Sequence, residues 1–207
     1  MKNISINKSE TNKVSVTKGN DLCPAYPDIW RKGEICAIIS HTGDGKSVLA
    51  ETIAVECNGE GGKVECYIDD HNRDFFYDRL GESPYIHFKD AALWGTEMIT
   101  NYIGWVAGPI VVDLNSPSNE KAKAVGNALY KAMTDHSHSY PLITIQAGHS
   151  MEEQIKLFHA TRLTLLERIE GIPGDERFRA TVNWRTPDEY SYELKVDTSN
   201  GVKMVRI

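Results

Sequence analysis

The chain has 207 residues, of which 41% are hydrophobic and 25% are charged, and its formal net charge is −6 at pH 7. This length suits a single domain, and the apolar share is sufficient to build a buried core. The negative charge argues against a protein that coats nucleic acid through bulk electrostatics, although it leaves room for a local basic loop.

The N-terminal sequence MKNISINKSETNK lacks the apolar core of a signal peptide, and no apolar run reaches the length of a membrane span. We therefore expect a cytoplasmic protein. Residues 1–30 are interpreted as an N-terminal extension with a short edge strand at 14–16, and residues 31–207 as one folded domain.

From residue 35 onward, apolar runs typical of buried strands alternate with segments of helical periodicity. The predicted strands are 35–39, 63–68, 85–88, 109–112 and 142–145, and the predicted helices are 47–57, 73–80, 91–107, 120–135 and 151–158. This alternation predicts an α/β domain with a mainly parallel sheet. Near the C-terminus the pattern changes to strands joined by turns, at 163–166, 178–184, 190–196 and 202–207, which predicts hairpins.

The four cysteines are Cys23, Cys36, Cys57 and Cys66, and no two of them form a CxxC pair. Cys36 and Cys66 lie inside apolar, strand-like runs. We therefore interpret them as reduced thiols of the core rather than as metal ligands or disulfides.

The segment 40–47, SHTGDGKS, follows a predicted strand and precedes a predicted helix, which is the context of a Walker A phosphate loop. Its glycines allow successive backbone N–H groups to point inward, and the helix N-terminus adds positive charge. We expect Lys46 to contact the β- and γ-phosphates and the Ser47 hydroxyl to bind Mg²⁺. The first position holds Ser40, where a glycine is usual. The residues assigned to ATP are Ser40, His41, Thr42, Gly43, Asp44, Gly45, Lys46, Ser47 and Val48.

Asp113 follows the buried strand 109–112, which is the Walker B arrangement that holds Mg²⁺ through a water. The next residue is Leu114, so the glutamate that activates water in many ATPases is missing at this position. Asp69 and Asp70, at the end of the second strand, are the other candidates for the catalytic base. The competing interpretation is that all three acids only terminate strands in solvated turns.

The order of these features resembles the RecA-like ATPases, especially the DnaB-type replicative helicases and the KaiC-type proteins. The resemblance rests on Gly33-Glu34 before the first strand, on Asp70 followed by Arg79-Leu80, and on the absence of Glu after Asp113. It extends over about residues 30–207. It implies a P-loop NTPase of three-layer α/β/α architecture, with Asp70 as the catalytic base.

The resemblance also assigns roles nearer the C-terminus. Gln146, which ends the run LITI, stands where this family has a polar sensor of the γ-phosphate. A Lys-x-Arg pair in the family's terminal strands reaches into the neighbouring subunit's site, and here the matching residues are Asn183-Trp184-Arg185. Arg185 is then the trans-acting finger, with Asn183 in place of the lysine. The resemblance thus implies a homo-oligomer, either a hexameric ring or a filament, of viral or plasmid scale.

Three functions remain open at this stage. The first is a nucleic-acid motor, of helicase, recombination or genome-packaging type, whose loops 114–123 and 147–154 would face the polymer; only the first loop carries lysines, Lys121 and Lys123. The second is a ParA/MinD-like dimerising switch, whose deviant motif places a lysine where His41 stands. The third is a small-molecule kinase, which would need an arginine-rich lid, but residues 114–140 contain no arginine.

Overall fold

The computed structural model describes residues 26–57, 63–69, 86–106, 108–136, 139–169, 176–198 and 202–207. Its strands are β1 (Cys36–Ser40), β2 (Val64–Ile68), β3 (Ile86–Asp90), β4 (Pro109–Asp113), β5 (Tyr140–Gln146), β6 (Arg162–Ile169), β7 (Arg177–Val182), β8 (Tyr190–Asp197) and β9 (Lys203–Arg206). Its helices are α1 (Lys46–Cys57), α2 (Thr96–Ile103), α3 (Asn119–Asp135) and α4 (Met151–Leu157).

The strands within these described ranges form one nine-stranded sheet in the order β3-β2-β4-β5-β1-β6-β7-β8-β9. The strands from β3 to β6 in this order run parallel to their neighbours. The last three pairings, β6–β7, β7–β8 and β8–β9, are antiparallel. The predicted fold, a mainly parallel central sheet with antiparallel strands at the C-terminal end, is confirmed.

The sheet separates two apolar clusters, because successive side chains of a strand point to opposite faces. In β1, Cys36 and Ile38 pack on the face that α1 covers, whereas Ala37 and Ile39 pack on the face of α2, α3 and α4. All four side chains are buried. The helices therefore lie on both faces of the sheet, which gives three layers.

The antiparallel strands belong to the same core, because they pack against α1. The backbone N–H of Met204 in β9 donates to Thr52 Oγ1 of α1 over 3.1 Å, and the Tyr26 hydroxyl donates to the Met204 carbonyl. Phe178 and Met204 join Leu49 in one buried cluster. The C-terminal strands therefore stabilise the helix that follows the phosphate loop.

Helices α3 and α4 approach each other closely at Gly126. A Cβ atom built on this glycine would lie 2.7 Å from the Cα of Phe158 and would also overlap the carbonyl of Leu157. Gly126 is itself buried within α3. The absence of a side chain is thus what permits the two helices to pack at this distance.

Several predicted boundaries differ from the structure. The helix predicted at 91–107 is shorter, Thr96–Ile103, because the Asp90 carboxylate accepts from the N–H groups of Ala92 and Leu93 and holds a turn there. The strand predicted at 178–184 ends at Val182. The predicted edge strand 14–16 and the predicted helix 73–80 lie outside the described residues.

Among the described residues, none of the helices combines the length and the apolar character needed to cross a lipid bilayer.

Candidate nucleotide site

The phosphate loop connects the end of β1 to the first residue of α1, Lys46. Gly43 and Gly45 have φ angles of 88° and 81°, a region that glycine enters without steric cost. The N–H of Leu49 donates to the Gly45 carbonyl over 2.9 Å, so helical bonding begins inside the motif. The loop therefore curls at its two glycines and ends as the N-terminus of a helix, which is favourable for an anion.

Ser40 shows why the motif tolerates a residue other than glycine at its first position. It is the last residue of β1, fully buried, with no positive φ. Its hydroxyl donates to the His41 carbonyl over 3.0 Å, and its own carbonyl accepts from Ala147 over 2.7 Å. A small side chain that bonds locally fits this place as well as glycine would.

A cavity of about 320 Å³ lies beside the loop, at the carboxyl ends of β1, β2 and β4. In open α/β sheets this end of the strands is the usual position of a ligand site. The residues that line the cavity are Gly43, Gly45, Lys46, Ser47, Val48, Asp69, Asp113 and Asn115. Of the other residues assigned to ATP, His41 and Thr42 are exposed at the rim of the loop, Asp44 is half-buried and Ser40 is buried below.

Asp113 is the buried acid of this cavity, with 5% of its surface exposed. The Thr144 hydroxyl donates to its Oδ1, while Oδ2 is buried without a hydrogen-bond partner in the described part of the chain. An unsatisfied carboxylate oxygen is costly unless a ligand completes it. With the Ser47 hydroxyl in the same cavity, the oxygen donors present fit Mg²⁺.

Asp69 lines the same cavity, and both of its carboxylate oxygens have partners. Oδ2 accepts from the backbone N–H of Asn115 over 2.8 Å, and Oδ1 lies 3.4 Å from the Nζ of Lys121. The side chain therefore ties β2 to the loop after β4 and to α3. Asp70, the other candidate base, lies outside the described residues.

Gln146 ends β5 and pairs in register with Ser40, so it stands next to the start of the phosphate loop. Its Oε1 accepts from the Ser116 hydroxyl over 2.8 Å. Gln146 is not among the residues that line the cavity. Ser116 has a φ angle of 47°, a conformation uncommon for a residue other than glycine.

Arg185 lies in the turn after β7 and does not line the cavity. Its guanidinium stacks over the Trp184 ring at 4.0 Å and pairs with Glu152 of α4. The sequence suggested Asp188 or Glu189 as its alternative partner; Glu189 instead accepts from the Arg185 backbone N–H over 2.8 Å. Asn183 and Arg185 both have positive φ, which explains why β7 ends before them.

The same turn lies away from the phosphate loop of its own chain. The N–H of Trp184 donates to the carbonyl of Leu163, which pairs with Ala37 near the start of β1, whereas the loop follows the end of β1. The fold thus separates Arg185 from the cavity that contains Lys46.

Thr144, Asn115 and Lys121 were not recognised from the sequence as parts of the site. Thr144 gave the one available signal, because it interrupts the apolar run LITI in a strand whose residues 141–145 are all buried. Asn115 and Lys121 give no such signal, since polar residues are ordinary in a loop and on a surface helix.

The two cysteines whose side chains the structure describes are free and buried, Cys36 and Cys66. Burial raises the pKa of the Cys36 thiol to about 12 and raises the pKa of the Cys66 thiol well above its ordinary value. Neither is therefore available as a thiolate at neutral pH. Among the described residues, no group of three or more His, Cys, Asp or Glu side chains could hold a metal ion.

No family model matches the sequence, and no curated protein matches it. Among solved structures, the chain is similar to the ATPase domain of a DnaB-like helicase, with a TM-score of 0.65 over 91% of this chain and 93% of that chain. The sequences are 11% identical, so this likeness concerns the fold alone. The two chains share the α/β/α architecture of a RecA-like ATPase domain.

Proposed function

We propose that this chain binds and hydrolyses Mg-ATP as a P-loop ATPase. The observation that carries the proposal is the convergence of Lys46, Ser47 and Asp113 on one cavity beside a glycine-curled loop and a helix N-terminus. A primary amine, a hydroxyl and a buried carboxylate at this position match the needs of a triphosphate with its cation.

The chain's own groups bind the phosphates. The positive φ angles of Gly43 and Gly45 turn the backbone so that its N–H groups face the cavity, and α1 directs its N-terminus there. Lys46 adds a mobile positive charge, which is most effective where negative charge develops on the transferred phosphoryl group. These groups bind the nucleotide and stabilise the transition state.

Ser47 and Asp113 would hold Mg²⁺. The cation, when bound, neutralises the developing charge on the β- and γ-phosphate oxygens. The role of Asp113 is to fix its carboxylate beside the Ser47 hydroxyl, and its buried, unpartnered Oδ2 supports this role within the described residues.

We assign the activation of water to Asp70. Asp69 already has both of its oxygens in hydrogen bonds, to Asn115 and Lys121, and is better suited to hold the end of β2 in place. Gln146 would sense the γ-phosphate, and its bond to Ser116 would pass that signal to the loop after β4. Asp70→Asn should then slow hydrolysis far more than it weakens nucleotide binding, whereas equal losses in both would point to a different base.

Arg185 would act on the site of a neighbouring subunit. Its turn lies away from its own cavity, and its exposed guanidinium is held by Glu152 and Trp184. An arginine that completes a site from outside supplies charge to the transition state. This role requires a homo-oligomer, either a ring or a filament.

The polymer on which such an oligomer would act is nucleic acid, with helicase, recombination or packaging work as the alternatives. The described basic supply at the candidate loops is small, because Lys121 is paired with Asp69 while Lys123 is exposed on α3. We therefore expect weak binding that depends strongly on salt.

The test is the ATPase rate of the purified chain with single-stranded DNA, double-stranded DNA, RNA or no polymer, together with its mass in solution. Stimulation by one polymer in a ring or filament is the expected result. Hydrolysis that no polymer stimulates, in a chain that forms only an ATP-dependent dimer, would contradict the motor and favour a dimerising switch.

A further inference from the structure

Thr144 is the polar residue in the centre of β5, between Ile143 and Ile145. It is 3% exposed, and its strand pairs in parallel with β4, which ends at Asp113. A buried hydroxyl in an apolar strand is costly unless it forms a hydrogen bond, and valine would fill the same space without that cost. The hydroxyl of Thr144 must therefore have a use at this position.

The partner of Thr144 is one oxygen of Asp113. The hydroxyl donates to Oδ1, and Oδ2 has no partner among the described residues. A carboxylate held by one oxygen keeps a fixed rotamer and leaves the other oxygen to accept a bond from outside. Two strands of the central sheet fix both groups, so the arrangement is rigid.

We propose that Thr144 is a positioning residue that orients Asp113 so that Oδ2 receives Mg²⁺ or a water bound to it. This inference rests on the proposed function, since it concerns the cation of the same site. Thr144 does not line the cavity and acts only through Asp113. Partners that orient a metal-holding side chain commonly change metal affinity by about 10- to 100-fold when they are removed.

The test compares Thr144→Val, which removes the hydroxyl at constant volume, with Thr144→Ser, which keeps it. The first readout is the affinity of the protein–ADP complex for Mn²⁺, used as a paramagnetic probe and measured by electron paramagnetic resonance. The second is the Mg²⁺ concentration for half-maximal hydrolysis. The control is Thr164→Val, which changes a buried threonine of β6 that has no hydrogen-bond partner among the described residues.

Thr144→Val should weaken Mn²⁺ binding and raise the half-saturating Mg²⁺ concentration, each by about tenfold. ADP binding in the presence of a chelator should not change. Thr144→Ser and Thr164→Val should remain close to wild type. If Thr144→Val does not fold, Thr144→Ala serves in its place, because alanine also removes the hydroxyl.

Wild-type cation affinity in a folded variant that lacks the hydroxyl would overturn the inference, as would a loss in Thr144→Ser equal to that in Thr144→Val. In either case wild-type hydrolysis would leave the proposed function standing. A wild-type chain that neither binds Mn²⁺ with ADP nor hydrolyses Mg-ATP would refute the proposed function and this inference together.

Discussion

The ammonium group of Lys121, in the first turns of α3, lies 3.4 Å from the Oδ1 atom of Asp69 at the end of β2. The same ammonium is 3.4 Å from the carbonyl of Ala91, and both side chains of the ion pair are about one-fifth exposed, at 22% and 20%. Lys121 thus joins a residue of the cavity wall to a helix on one face of the sheet. It is not a free cation of an outward-facing loop.

Replacing Lys121 with alanine should slow ATP hydrolysis, because Asp69 would lose the partner that fixes one of its oxygens. We expect roughly a fivefold fall in kcat, since a partly exposed ion pair contributes about 1 kcal/mol. Lys131→Ala changes an exposed lysine of the same helix and should keep the wild-type rate. Equal rates for both variants in a steady-state assay would show that Asp69 needs no such support.

Arg185→Ala should reduce hydrolysis only under conditions in which the protein is assembled. The reason is that its turn lies away from the cavity of its own chain, so its charge can serve only a neighbour. Arg168→Ala is the matched control, since both arginines are about half-exposed, at 45% and 49%, and each pairs with one glutamate. Full Arg185→Ala activity at concentrations where sedimentation shows the oligomer, or activity in a strictly monomeric protein, would remove the trans-acting role.

Gly126→Ala should destabilise the fold, because the added methyl group would overlap the backbone of Leu157 and Phe158. Overpacking of this kind costs about 1–3 kcal/mol, and backbone atoms cannot move aside as a flexible side chain can. Gly104→Ala, at the C-terminus of α2, has only ordinary contacts from 3.5 Å outward and a helical φ of −61°. Urea unfolding should therefore separate the two variants, and equal midpoints would contradict the close approach of α3 and α4.

The stability of the protein should fall at alkaline pH. Burial, with a contribution from Glu56, raises the pKa of Tyr26 to about 12, against about 10 in the unfolded chain. The folded state thus favours the protonated hydroxyl, so this contribution is complete below about pH 10 and is lost as the pH rises toward 12. Tyr26→Phe should flatten the decline of the unfolding free energy across this range.

Part of the alkaline decline should persist in Tyr26→Phe, because burial also raises the pKa values of Cys36 and Tyr190 to about 12. Tyr130→Phe, which changes an exposed tyrosine, is the control and should keep the wild-type slope. The measurement is urea unfolding at a series of alkaline pH values. A Tyr26→Phe slope equal to that of wild type would show that the hydroxyl of Tyr26 is not buried in the folded state.

The sequence predicted the parallel part of the fold well, because buried parallel strands leave strong local signals. The run CAII of β1 and the run IVV of β4 are apolar on both faces, and the phosphate loop marks where β1 meets α1. Boundaries were predicted less well where a side chain competes with the backbone. Asp90 bonds the N–H groups of Ala92 and Leu93, and this delays the start of α2 to Thr96.

The candidate site was only partly predictable for a similar reason. Lys46 and Asp113 follow from motifs of local spacing, but the bonds of Thr144 to Asp113 and of Lys121 to Asp69 join residues 31 and 52 positions apart. Such pairs depend on which strands become neighbours in the sheet. In particular, β5 lies between β4 and β1, and no local pattern reveals that order.

The most direct test of the central claim is the rate of Mg-ATP hydrolysis by Lys46→Ala beside wild type, with Lys156→Ala as the control for loss of an exposed lysine on α4. All three proteins should unfold at similar temperatures, because Lys46 lines a cavity and is not part of the core. We predict that wild type and Lys156→Ala hydrolyse ATP at equal rates and that Lys46→Ala is inactive. Hydrolysis by Lys46→Ala at the wild-type rate would contradict the assignment of this cavity as the nucleotide site.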